Sequence, residues 1–142
     1  MYFEEFTLKE RVMIRPVRIE KEEMISFAQK YDNLPMHTDE EFAASTRFGQ
    51  LIAPGIMSFM SVWAAFLEEN LFGAEVVAGT MTKVEWFKPV FAGDVLRGEA
   101  IVTNLKDRSE RNGIVELTIY AYNQHGDLVL SDVTEVIMKK RT

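Results

Sequence analysis

The residues best suited to chemistry in this chain are Asp32 and His37, in the run Tyr31-Asp32-Asn33-Leu34-Pro35-Met36-His37-Thr38-Asp39, and Gly55, in Ile52-Ala53-Pro54-Gly55-Ile56-Met57. A carboxylate and an imidazole that face each other can hold one water between them. They titrate as a unit, so the sequence does not apportion the proton. Gly55 opens an apolar stretch, where an unpaired backbone N–H at a helix start stabilises a developing oxyanion by hydrogen bonding and through the helix dipole. Without a side chain it lets a carbonyl approach the backbone closely. These parts suit proton transfer next to a carbonyl, which points to an enzyme. The bland reading makes Asp32 a turn-forming residue and His37 a solvated loop residue.

Three helices are expected to position them. Met24, Phe27, Ala28 and Tyr31 recur at i, i+3, i+4, i+7, which predicts an amphipathic helix over Glu20 to Lys30, ending just before Asp32. Thr38 and Glu41 have capping-box spacing ahead of Phe42-Ala43-Ala44, predicting a short helix from near Asp39 that ends by Gly49, with His37 just outside its N-terminus. Asp39 then reads as a helix-start residue. From Gly55 to about Asn70 the chain is apolar almost all round, which marks a helix enclosed on most sides, and Pro54 suits its start.

After residue 74 the period changes. Val76 to Val90, Asp94 to Lys106, Gly113 to Asn123 and Leu128 to Met138 are rich in Val, Ile, Thr and aromatic residues. Turn residues at Ala92-Gly93-Asp94, Arg111-Asn112-Gly113 and His125-Gly126-Asp127 separate them, so they read as long strands of an antiparallel meander. Residues Arg11 to Arg18 alternate imperfectly and add a fifth strand. One apolar helix followed by long strands implies an α+β fold with a curled antiparallel sheet wrapped around the helix. With 142 residues, one domain over 1–142 is expected.

The net charge of −6 and the lack of a basic stripe argue against a nucleic-acid partner. Cysteine is absent and the two histidines lie far apart, so neither a disulfide framework nor metal-ligand spacing is present, and no metal is expected. The start Met1-Tyr2-Phe3-Glu4-Glu5-Phe6 has neither the basic nor the apolar region of a signal peptide, so a cytoplasmic location is expected. The apolar run Leu51 to Leu67 falls short of the roughly 20 residues of a membrane span, and no membrane association is expected. Lys139-Lys140-Arg141 reads most simply as a solvated tail, with phosphate contact as the alternative, and His125 is given no role.

The chain resembles the MaoC-like acyl dehydratase and R-specific enoyl-CoA hydratase family of hot-dog folds. The family signature places an Asp, four residues, a His, an acidic position, Phe-Gly, Ile-Ala and a helix-opening Gly in this order, here Asp32, His37, Asp39, Phe48-Gly49, Ile52-Ala53 and Gly55. Phe87-Lys88-Pro89-Val90-Phe91-Ala92-Gly93-Asp94-Val95-Leu96 looks like the segment that leads into the family's long strands. The resemblance implies a hydratase or dehydratase interconverting trans-2-enoyl-CoA and 3-hydroxyacyl-CoA, with Asp32 and His37 as the acid/base pair and Gly55 as the oxyanion donor. It further implies a homodimer, an acyl-CoA thioester as ligand and no cofactor beyond the coenzyme A of the substrate. Met57, Phe59 and Met60 are candidates for the acyl wall, although plain core is the commoner use of such residues.

Two positions depart from the signature. Leu34 stands where the family has Asn or Gln, removing a hydrogen bond that helps hold the loop or the catalytic water. Pro54 replaces the His that often precedes the glycine. The alternatives are a thioesterase or a non-catalytic acyl-thioester-binding subunit of the same fold. Carrier-protein dehydratases resemble the chain at Pro54-Gly55-Ile56-Met57 but have a Glu where Met60 stands, and the Gly-His-Val-Asn of common thioesterases is missing.

Overall fold

The structure, a computed structural model, describes residues 1–141. After a 3-10 turn at Phe3–Glu5 come β1 (Arg11–Arg18), α1 (Lys21–Tyr31), α2 (Pro35–Thr38), α3 (Glu40–Ala44) and α4 (Gly55–Leu67). A second 3-10 turn at Gly73–Glu75 leads into β2 (Val76–Trp86), β3 (Val95–Asp107), β4 (Asn112–Tyr122) and β5 (Leu128–Lys139). The five strands form one antiparallel sheet in the order β1-β3-β4-β5-β2.

The α+β class and all five strands agree with the sequence reading, and one feature of the meander does not. Strands β3, β4 and β5 are joined by short turns and lie side by side, whereas β2 lies beyond β5 at one edge and β1 pairs with β3 at the other. The reason is the segment after Trp86. Pro89 offers no N–H to a ladder, and Phe91 bridges to Ile52 while the Ala53 N–H donates to the Val90 carbonyl at 2.7 Å. The chain is thereby tied to the loop before α4 and does not turn back on β2, which ends at Trp86 rather than Val90. In β1 the register shifts between Ile14 and Val17, around Pro16, at an edge where a missing donor costs little.

Helix α4 crosses the inner face of the sheet. Met57, Ser58, Val62, Ala65 and Phe66 are its buried side, and Gly98 on β3 makes room for it. A Cβ there would stand 3.1 Å from Ile14 Cδ1 and 3.3 Å from Val62 Cγ1. Met24 and Ala28, on the periodic face of α1, are buried as well. The enclosure of α4 on most sides is not reached within one chain, since Met60 is 51% exposed and Ile56 and Leu67 are open too. Strand β2 is likewise open along most of its length, with Val77 at 51% and Met81 at 37%.

The loop before α3 is built differently from the capping box expected at Thr38. Pro35 starts a turn of helix of its own, and the Thr38 hydroxyl donates to the Leu34 carbonyl inside it at 3.3 Å. Asp39 is the cap, its Oδ1 accepting from the Phe42 N–H at 3.1 Å. Helix α3 ends at Ala44, short of Gly49.

Candidate active site

Asp32 follows the last turn of α1, where its N–H donates to the Ala28 carbonyl at 2.9 Å. The next turn is closed by backbone alone, with the Leu34 N–H on the Asp32 carbonyl at 2.8 Å and the His37 N–H on the Leu34 carbonyl at 2.9 Å. The Asp32 carboxylate is therefore not consumed as a turn former. Its Oδ2 lies 3.3 Å from His37 Nε2.

His37 is 3% exposed, and its Nδ1 lies 2.7 Å from the carbonyl oxygen of Ile52. A carbonyl only accepts, so Nδ1 carries a proton and Nε2 is the nitrogen left for Asp32. In the neutral ring Nε2 is an acceptor facing a second acceptor. A proton or a water must bridge them, and this is the arrangement that general acid/base work at the pair requires.

Gly55 is the first residue of α4, and Pro54 before it provides no side-chain cap, so the first N–H groups of the helix have no partner within it. Trp86 at the end of β2 fixes this start, its Nε1–H donating to the Gly55 carbonyl at 2.9 Å. A Cβ at position 55 would lie 2.6 Å from Trp86 Cε2 and 2.7 Å from its Nε1. Only glycine fits under that ring.

Asp32, His37 and Gly55 line one open cleft of about 450 Å³, together with Trp86, Phe87 and Ser58. The acyl-wall candidates lie elsewhere: Met57 is 2% exposed in the core, Phe59 packs against Trp63 with ring centroids 6.1 Å apart, and Met60 faces outward. In this cleft the helix presents Ile56 and Ser58 instead, because its N-terminal end and not its middle meets Trp86. Leu34 is 45% exposed and does not line the cleft. Arg47 and Lys88, which sequence reasoning passed over, do line it. Among the described residues no group of three or more His, Cys, Asp or Glu is placed to hold a metal ion.

The five-stranded antiparallel sheet with α4 across its inner face is the hot-dog class expected above. The MaoC like domain matches residues 5–123, and the chain belongs to that family of MaoC-like dehydratases. It is 32% identical, over 99% of its own length and 100% of the other's, to Bacillus subtilis "Uncharacterized protein YdeM". It is also 32% identical to mesaconyl-CoA hydratase of Cereibacter sphaeroides, over 75% of its length but 31% of that protein's. The structure of a monoamine oxidase regulatory protein from Archaeoglobus fulgius superposes with a TM-score of 0.93 at 29% identity, covering 100% of this chain and 96% of that one.

Proposed function

We propose that the protein hydrates trans-2-enoyl-CoA thioesters to 3-hydroxyacyl-CoA and catalyses the reverse dehydration. The observation that carries this reading is the His37 ring, pinned by Nδ1 to the Ile52 carbonyl so that Nε2 faces Asp32 in the same cleft as the free helix start at Gly55. A water held between Asp32 and Nε2 loses a proton to the pair as its oxygen bonds to C3. The electrons of the C2=C3 bond move toward the thioester oxygen, whose developing charge is met by the Gly55 N–H and the dipole of α4. The pair then returns a proton to C2, so one water has been added and the pair is restored. Dehydration is the same path reversed. The family and the mesaconyl-CoA hydratase relative support the reaction class.

A second copy completes the fold on this reading. The open β2 edge and the exposed stripe of Ile56, Met60 and Leu67 are apolar surface that a homodimer would cover.

The test is loss of the conjugated thioester on incubation with a short and a medium trans-2-enoyl-CoA, with the Asp32→Asn variant alongside. Formation of 3-hydroxyacyl-CoA that falls about 100-fold or more in the variant is the expected result. Free coenzyme A as product would show a thioesterase, and binding without turnover would show an acyl-thioester-binding subunit. Asp32→Asn is preferred to His37→Ala, because removing the buried ring also strands the Ile52 carbonyl.

A further inference from the structure

The cleft has a cationic rim that the acid/base chemistry does not use. Arg47, in the loop between α3 and α4, and Lys88, in the segment after β2, both line it in a protein whose net charge is −6. Both are held by turns. The Thr46 hydroxyl donates to the Ala43 carbonyl at 2.7 Å and accepts from the Phe48 N–H at 3.3 Å, so the backbone on either side of Arg47 is fixed. The Arg47 guanidinium lies over the Phe48 ring, 4.8 Å from its centroid. No carboxylate pairs with it among the described residues.

Lys88 is set between the Phe87 N–H, which donates to the Val129 carbonyl at 2.8 Å, and the rigid Pro89. Its ammonium is 3.1 Å from Asp127 Oδ2 in the turn between β4 and β5. An ammonium has three donors, so one contact to Asp127 leaves others for a ligand.

The C-terminal cations are differently engaged. Lys140 is bound to Asp107 and to the Ser109 carbonyl, and Arg141 to Glu5 at 2.6 Å. Lys140, with Lys139 and Arg111, borders a separate depression beside Tyr2 and Val77, none of whose lining residues lines the cleft.

We propose that Arg47 and Lys88 form the subsite for the phosphates of a coenzyme A thioester, and so select a nucleotide-bearing thioester over a shorter thiol ester. This rests on the thioester reading of the cleft. A planar guanidinium held against an aromatic ring is pre-organised for two-point contact with phosphate oxygens, and the lysine adds a point charge in the same cleft. An unpaired arginine loses no protein partner when it takes up that role. Each charge-assisted contact is worth about tenfold or more in affinity, and at a solvent-facing rim it weakens as salt rises.

The experiment compares two carriers and two measurements, with wild type, Arg47→Ala/Lys88→Ala and, as a control, Lys140→Ala. Free coenzyme A and pantetheine, which lacks the nucleotide, are titrated into each protein, and hydration of the same enoyl group is followed on coenzyme A and on N-acetylcysteamine. We expect coenzyme A to bind the double variant at least tenfold more weakly, with the preference for coenzyme A over pantetheine reduced by the same factor. The ratio of kcat/KM for the coenzyme A ester to that for the N-acetylcysteamine ester falls likewise. The Lys140→Ala control keeps the wild-type ratios. Unchanged preference in the double variant, or equal losses with both carriers, would overturn the proposal. If the wild type hydrates neither ester, the hydratase reading falls, while the coenzyme A and pantetheine titrations still decide the rim.

Discussion

Replacing Asp132 by Asn should change how the stability of this protein depends on pH. Asp132 lies on the inner face of β5, wholly buried, opposite Ile119 on β4 and Val84 on β2. Its Oδ2 accepts from the Thr134 hydroxyl at 2.7 Å, and Thr134, having given its proton, accepts from the Thr82 hydroxyl at 3.0 Å. Oδ1 has no partner. Burial pushes the carboxyl up to about 6, and the Thr134 bond only partly opposes this. In the unfolded chain the group keeps its ordinary value of 3.8.

Between those values the folded protein holds a proton that the unfolded chain has lost, so stability falls as pH rises from about 4 to about 6 and stays lower above. At about 1.4 kcal/mol for each pH unit of difference, the loss is on the order of 3 kcal/mol. The Asn variant cannot ionise, and its amide oxygen still accepts from Thr134. Urea unfolding of both proteins at half-unit steps from pH 4 to pH 8 measures the effect as the difference between two curves, in which every other titrating group cancels. The expected difference swings toward the variant across pH 4–6 and is flat from pH 7. Parallel curves would refute the argument, and would mean that the carboxylate reaches water or a partner in solution.

Three further outcomes follow from the same structure. Gly55→Ala pushes a methyl group into the Trp86 ring, at 2.6 Å, so hydration should fall at least tenfold with a change in tryptophan fluorescence, and wild-type turnover would remove Gly55 from the oxyanion site. If a homodimer covers the open β2 edge, Met81→Glu puts a charge in its middle, so sedimentation equilibrium should show a shift from dimer toward monomer; an unchanged dimer mass would place the contact elsewhere, and a monomeric wild type would refute the dimer. Leu34→Asn restores the amide of the family signature on a side chain that is half exposed and outside the cleft, so turnover should stay within about threefold of wild type; a gain of tenfold or more would mean that position 34 reaches the catalytic water after all.

What could be read in the sequence was whatever depends on local pattern. The period of Met24, Phe27 and Ala28 gave α1 to within one residue at each end, and the alternation around Pro16 still marked β1, because an edge strand tolerates a bulge. The order of strands is a different kind of fact. Nothing in Val76–Trp86 tells β2 to pair with β5 in place of β3, since that choice is made by the bonds from Ala53 and Ile52 to Val90 and Phe91, residues nearly forty positions away. The turn at Pro35–Thr38 is too short to show a period, so the spacing of Thr38 and Glu41 points to a capping box where the structure has Asp39 as the cap.

The site divides along the same line. Asp32, His37 and Gly55 stand out by residue type and spacing, and the structure brings all three to one cleft. Which other residues join them depends on where α4 meets the sheet. An apolar helix with no polar face does not show which of its sides will be covered, so the sequence points to Met57, Phe59 and Met60 while the helix presents Ile56 and Ser58 to this cleft. Asp132 and Thr134 show the converse. In Leu130-Ser131-Asp132-Val133-Thr134-Glu135 polar residues occupy both phases of the strand, so alternation alone does not place the carboxylate inside. Only the pairing with Ile119, itself buried, fixes the phase. The inward carboxylate is therefore a cost the fold carries at neutral pH, and the pH dependence set out above is the direct measure of it.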